Sequence, residues 1–419
     1  MNDAPLVARV TPLGPAFDLL ATYRPGGFFF ERGGLGVAGS GVAASVRADR
    51  GPGRILRLSR SIADALAAIG RAPDSPPPVA VVSIPFGDHR AVEAVIPARA
   101  TVRRARGQTW QVDVVAEGIG APHAASGRWT GRGAPHDAFE RIQLRPDPEP
   151  DDYAEAVDRA TKRIRAGELR KIVLARSVIV DAGRELDPRQ LLWRLRAVDP
   201  DCYAFATPVA RPAGDGTLVG ASPELLVRRR GDEVEAAPLA GSAPRYGDPV
   251  RDRASADRLF DSGKDREEHA LVVEDVAHVL GAFCDDLSYP HEPELLGTAN
   301  VWHLATPFRG RLHDTSTRLL DLVAALHPTP AVCGTPRDAA REALEELEPI
   351  DRGAYAGPIG WVDADGDGEI AIALRCAEIT GATARLFAGA GIVADSEPEA
   401  ELDETERKFL ALLDALRWG

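Results

Sequence analysis

Short apolar runs bounded by turn residues recur along this chain, and they meet hairpin-type turns more often than helical crossovers. Parallel strands need a crossover of a dozen or more residues, whereas tight turns join antiparallel ones. The pattern therefore predicts an α+β fold of mostly antiparallel sheets with helices on their outer faces. Strand character is read at 27–31, 79–84, 110–116, 203–208, 217–227, 301–312, 357–362, 369–379 and 384–393. Helical periodicity is read at 61–70, 152–168, 188–197, 263–283, 337–347 and 398–418. The Pro- and acid-rich segment 145–152 (RPDPEPDD) reads as a linker, so that 1–145 forms a first part and 152–419 a second.

One run carries more than a strand signal. Of 50 basic residues only four are Lys (162, 171, 264 and 408), so Arg serves wherever a plain surface cation will do. The remaining Lys are candidates for work that Arg cannot do, above all losing a proton. Lys171 is followed directly by Ile172-Val173-Leu174-Ala175, which predicts a buried strand with the ammonium at the rim of a core. Such a Lys is either a general base or the cap of a strand end.

Two motifs look informative and are not. Gly34-Leu-Gly36-Val-Ala-Gly39 fits a dinucleotide-binding glycine pattern, but strand character follows it and no acid lies about 20 residues on. A tight turn between strands accounts for it better. Asp363-Ala-Asp365-Gly-Asp367-Gly368 opens like a calcium loop, yet its twelfth place is Leu374 instead of a bidentate Glu, so a hairpin turn is expected.

At 419 residues the chain can bury one large core or two to three ordinary ones. A net charge of −13 disfavours nucleic acid or an anionic membrane as a partner. Four scattered cysteines form neither a metal knuckle nor a disulfide frame. The N-terminus lacks a signal-peptide pattern and no apolar run is long enough to span a membrane. A soluble, cytoplasmic monomer is expected.

The remaining candidates are charged residues at apolar boundaries. Glu401, Glu404 and Lys408 fall on one stripe of the last helix. Glu268 is followed on its own helical side by Val272 and Val279. Two Glu from different helices over one pocket would suit Mg²⁺; otherwise both acidic clusters are solvated helix starts. Ala388-Gly-Ala-Gly391 either lets backbone amides approach an anion or is a glycine bend in a sheet. Arg375, placed inside an apolar strand, meets either an internal acid or a substrate carboxylate. Glu224 follows a rigid Pro and precedes an apolar run, a placement that can raise a carboxyl toward general-acid use, although a Glu starting a strand is normally exposed.

Taken in order, KIVLAR, GASPELLV, PLAGSAPR, KDREEHALVVED, NVWHLATPFRG, LHPTPAVCGTP, RGAYAGPIGW, IALRCAE and AGAGIVADSEPEAELDETERK resemble the chorismate-utilising enzymes. The resemblance covers roughly 152–419, and residues 1–145 match only loosely. It implies an anthranilate synthase component I-like unit of large antiparallel sheets packed face to face. It further implies Mg²⁺-dependent conversion of chorismate to isochorismate, a precursor for menaquinone and siderophore assembly. By position, Lys171 looks like the base that activates water and Glu224 like the acid that protonates the departing hydroxyl. Glu268 and Glu404, with Glu401 close by, look like the Mg²⁺ ligands. Tyr355, Arg375, Gly391 and Lys408 look like contacts to the enolpyruvyl carboxylate and its surroundings, and His303 like a residue of the substrate pocket.

Departures within the motifs separate sister activities. Ala240, before Gly241 and Ser242, stands where aminodeoxychorismate synthases carry Lys. Ala331 stands where salicylate- and anthranilate-forming relatives tend to carry Thr. Leu239 leans toward the water-using branch. A salicylate synthase is the second reading, followed by an ammonia-using synthase subunit or a silent relative.

Overall fold

A computed structural model of the chain describes residues 4–14, 17–105, 108–118, 120, 142–210 and 215–417. Among these, the strands form sheets of twelve, nine and three members. The twelve-stranded sheet runs in the order Leu6–Leu13, Gln108–Ala116, Arg99–Ala105, Leu35–Ser40, Phe28–Arg32, Tyr203–Val209, Gly216–Ser222, Cys376–Thr380, Thr383–Ile392, Lys171–Asp181 and Gly334–Thr335. Its twelfth strand, Gln143–Asp147, lies antiparallel to Lys171–Asp181. The nine-stranded sheet contains Leu225–Arg230, Gly368–Ile372, Pro358–Asp363 and Val79–Ser83 side by side. Leu239–Pro244, Val301–Ala305 and Glu294–Gly297 make the small sheet. Strands from the first 145 residues thus enter both large sheets.

Period-two alternation explains why the two large sheets stack. Phe28 and Phe30 point into a core shared with Val81, Ile359 and Ile370 of the nine-stranded sheet. Phe29, between them, points the other way, toward Leu191, Leu195 and Leu412 of helices Pro188–Val198 and Pro398–Arg417. Tyr203 and Phe205 against Ala204 and Ala206 repeat the same division. A third cluster packs helices Pro150–Arg165 and Arg337–Leu347 onto Ile172, Leu174, Ala390 and Ile392. No helix among the described residues is long and apolar enough to cross a membrane.

The expected helices at 188–197 and 337–347 form as Pro188–Val198 and Arg337–Leu347, while Gly263–Gly281 stops two residues early. The end of the last expected helix, Trp418, lies outside the described residues. Gly33 and Gly34 turn between Phe28–Arg32 and Leu35–Ser40, both with positive φ, so the glycine pattern starts in a hairpin turn and continues with Gly36 and Gly39 along the second strand. Asp363–Gly368 is likewise a turn, with Asp363 Oδ1 accepting from the backbone N–H groups of Asp365 and Asp367.

The segment expected as a linker is not one. Arg145 pairs with Ile179 in the ladder, Ser177 Oγ donates to the Asp147 carbonyl, and the next helix starts at Pro150. Acidic and proline-rich composition suits an edge strand followed by a helix N-terminus as well as it suits a linker.

Three runs expected as single strands are each split between two sheets. Residues 217–227 leave the twelve-stranded sheet after Ser222 and join the nine-stranded sheet at Leu225. Residues 369–379 make the reverse passage between Ile372 and Cys376. Residues 301–312 pass from the small sheet to the nine-stranded one across Thr306-Pro307. These breaks lie close together along a seam between the sheets.

Phe205 is fully buried and part of the inter-sheet core. Phe205→Ala is expected to lower stability by about 3–5 kcal/mol, read from the midpoint of denaturant unfolding. A loss under about 1 kcal/mol would mean that the sheets are not held by this layer.

Candidate active site

The breaks place polar residues where a continuous strand would have none. Pro223 and Glu224 occupy the first passage, Leu374 and Arg375 the second. Arg375 therefore does not sit inside a strand, as the sequence suggested; it lies between two, with φ of 47°. The passages are stitched together by Ile372 N–H donating to the Glu224 carbonyl and Ala221 N–H donating to the Arg375 carbonyl, both at 3.2 Å. A cleft opens on this seam. Its walls include Glu224, Ala240, Gly241, Ser242, Glu268, His303, Ala331, Tyr355, Arg375, Gly391, Glu404 and Lys408.

Thus twelve of the fourteen residues singled out in the sequence face one cavity. Lys171 and Glu401 do not line it. Lys171 is wholly buried, its Nζ 2.9 Å from Oε1 of Glu268, and it makes no hydrogen bond of good geometry among the described residues. Glu401 is also buried, with Lys264 Nζ at 2.6 Å from its Oε1. Glu404 takes Lys408 Nζ at 2.6 Å, one turn along the same helix, and Lys408 also donates to the Gly389 carbonyl at 2.8 Å. Each of the three glutamates is therefore matched by one lysine.

Glu224 is buried as well, contrary to the usual fate of a Glu at a strand start. Burial pushes its carboxyl up to about 8, against the smaller opposing effects of Lys171 and a backbone hydrogen bond from Leu239. At neutral pH it holds a proton. Burial alone would raise Glu404 too, but Lys408, the Ser242 hydroxyl and Lys264 together hold it below the ordinary carboxylate value. Glu401 goes the other way: burial and then the neighbouring Glu404 raise it, with Lys264 opposing.

His303 and Arg375 form a second polar unit. His303 Nδ1 is 3.1 Å from the Gly241 carbonyl, which can only accept, so Nδ1 carries the proton. Burial, then Arg375 and Lys408, push the ring well below the usual histidine value and keep it neutral. Nε2 is then an acceptor and takes Arg375 Nη2 at 2.8 Å. Among the described residues no carboxylate forms an ion pair with Arg375, although Asp199 and Glu404 act on it electrostatically, and the guanidinium lines the cleft. Gly241 sits at a bulge with φ of 72°, and a Cβ there would meet Asp265 Cβ at 3.1 Å. At Gly391 a Cβ would stand 2.1 Å from Glu268 Oε1 and 3.1 Å from Lys171 Cε. The glycine there is a cradle for the Lys171–Glu268 pair, and it carries no φ requirement of its own.

Several wall residues had no signal in the sequence. Arg352 is buried and holds Glu348 through two bonds of 2.6 and 2.7 Å, while donating to the Val332 and Val173 carbonyls. Glu348 also accepts from Ala175 N–H. Val173, Leu374 and Phe387, with Phe387 stacked on Tyr355 at 5.2 Å, supply the apolar part of the wall.

The donor set can be tested for a divalent cation. No three His, Cys, Asp or Glu side chains among the described residues converge as a ready-made metal cluster. Glu268 and Glu404 nevertheless face the same cleft from different helices, with Glu401 one turn away on the helix of Glu404. All three are hard oxygen donors, the type that Mg²⁺ takes from proteins. The residues fit the ion if the lysines yield.

The scaffold of stacked antiparallel sheets is shared with solved structures. Anthranilate synthase component I from Streptococcus pneumoniae superposes with a TM-score of 0.68 at 20% identity, over 93% of each chain. DhbC from Bacillus anthracis superposes with a TM-score of 0.81 at 35% identity, over 96% of this chain and 99% of that one. In sequence, the isochorismate synthase DhbC of Bacillus subtilis is 39% identical over 410 residues, 96% of each protein. The family model described as chorismate binding enzyme matches residues 116–417. The chain belongs to the family of chorismate-binding enzymes.

Arg352→Met leaves Glu348 buried without its cation and is expected to cost about 3–5 kcal/mol. Adding Glu348→Leu should restore most of that loss. Denaturant unfolding of the single and double variants checks this; equal stability of the two would mean that the pair is not coupled.

Proposed function

We propose that the chain is an isochorismate synthase, converting chorismate to isochorismate by adding water at C2 and expelling the C4 hydroxyl. The observation that carries this reading is a carboxyl that keeps its proton at neutral pH, Glu224, in the same cleft as the cations Arg375 and Lys408. The reaction needs an acid and a base, and its dianionic substrate needs cations.

In this reading Glu224 gives its proton to the departing C4 hydroxyl, which leaves as water. Lys171, deprotonated from its resting pair with Glu268 before the reaction, takes a proton from the water that attacks C2, and Glu268 holds the ammonium that forms. Arg375, fixed by neutral His303, and Lys408 bind the enolpyruvyl carboxylate. Tyr355 and Phe387 form an apolar wall that limits bulk water. Glu268, Glu404 and Glu401 would hold Mg²⁺, which when bound supplies positive charge for the ring carboxylate. Ala331 leaves the cleft wall without the hydroxyl that a Thr would bring, which favours release at isochorismate.

The decisive experiment incubates purified protein with chorismate and Mg²⁺, separates the products and assays pyruvate. Isochorismate in equilibrium with chorismate, without pyruvate, is the expected result. Salicylate with stoichiometric pyruvate would replace this reading with salicylate synthase. No turnover without added ammonia, and turnover with it, would make the chain an ammonia-using synthase. Lys171→Met should abolish conversion.

The pH dependence has a definite sign. Glu224 works protonated, so kcat/KM should fall about tenfold per unit above about 8. Glu224→Gln should lower kcat by about 10²–10⁴ and remove that alkaline limb. Persistence of the limb in the variant would assign it to another group.

A further inference from the structure

Three of the four lysines end on the three glutamates of the seam. The fourth, Lys162, is exposed and pairs with Asp158 one turn away. Lys171 and Lys408 have tasks in the reaction proposed above; Lys264 has none. Its placement also runs against helix physics. It lies in the first turn of Gly263–Gly281, just after the Ser262 cap, where the helix dipole disfavours a cation. Nor does surface solubility explain it, since this chain meets that need with Arg.

What Lys264 touches is Glu401, at 2.6 Å. The two ends of the pair differ sharply: the Glu401 side chain is 2% exposed and that of Lys264 35%. The cation thus has a path to water that its partner lacks. An Arg would grip the carboxylate through two parallel bonds, whereas a Lys offers one point charge on a flexible stem. This is a contact built to neutralise and to let go.

We propose that Lys264 is a displaceable counter-cation for Glu401, its ammonium neutralising the buried carboxylate until a divalent cation takes over that charge and the side chain withdraws into solvent. The proposal rests on the reading of Glu268, Glu401 and Glu404 as the Mg²⁺ site. It explains how three acids can be packed at one seam without mutual repulsion and still accept a metal ion. It also places the exchange beside the half-exposed Lys264, where water can reach it.

The test uses the full chain as wild type, Lys264→Gln and Lys264→Arg, stripped with a chelator and titrated with Mg²⁺ alone by calorimetry. Unfolding temperatures are followed in parallel with and without Mg²⁺. Removing the competitor should tighten Mg²⁺ binding of Lys264→Gln about two- to fivefold, the modest range set by a pair whose cation is partly in water. The same variant should melt lower in chelator and gain more from Mg²⁺ than wild type does. Lys264→Arg, which keeps the charge and grips harder, should bind Mg²⁺ more weakly than wild type. Unchanged or weaker binding by Lys264→Gln would overturn the proposal and make Lys264 a strut for Glu401. Absence of Mg²⁺ binding by the wild type would instead overturn the metal-site reading itself, together with the proposal.

Discussion

A carboxylate taken out of water has to be met by a cation, and that requirement governs the seam between the sheets. Glu268, Glu348, Glu401 and Glu404 come from three helical regions, and each finds its partner, Lys171, Arg352, Lys264 or Lys408, within hydrogen-bonding distance. Two of those partners lie on elements far away in sequence. Lys171 starts a strand and meets a helix nearly a hundred residues on, and Lys264 reaches a helix at the other end of the second half. A buried pair that is costly to break, such as Arg352–Glu348, fixes the elements that it bridges. The cleft is therefore framed by charge pairing and walled by apolar residues.

The second requirement is topological. A strand that passes from one sheet to another must give up its ladder bonds for two or three residues, and the backbone groups so released need other partners. Here they bond across to each other, and the side chains at the gaps are free of the alternation that fixes inward and outward faces elsewhere. Glu224 and Arg375 owe their position in the cleft to such gaps. His303, on the small sheet beside a third passage, completes the arrangement by holding the Arg375 guanidinium through its neutral ring.

Much of this was legible in the residues. The scarcity of Lys pointed to Lys171, and the order of motifs pointed to the cleft, because residue type at a spaced position survives translation into three dimensions. The antiparallel class followed from turn density. The breaks were not legible. Residues 217–227 and 369–379 read as single strands because apolar runs carry no mark of which sheet each half joins, and Pro223 was the one local hint. The Arg352–Glu348 pair was hidden because a charged residue near a helix end reads as exposed. The helix Pro249–Asp261 has few apolar residues to set a period; its signal lay in the Asp248 cap followed by a proline. Glu404 and Lys408 already shared a helical stripe, but the pairing of Lys171 with Glu268 and of Lys264 with Glu401 could not be read, since pairing across many residues leaves no trace in spacing.

The two backbone bonds between the passages have a consequence for how the cleft can change. Because the Glu224 carbonyl accepts from Ile372 and the Arg375 carbonyl accepts from Ala221, Glu224 and Arg375 ride on a single stiff coupling. Their separation is a backbone dimension, indifferent to which side chains surround them. Selectivity among ring substrates of one size is then free to drift through wall positions such as Ala331, while the span between acid and guanidinium stays constant. The seam acts as a fixed gauge, and the variable surface is everything mounted around it.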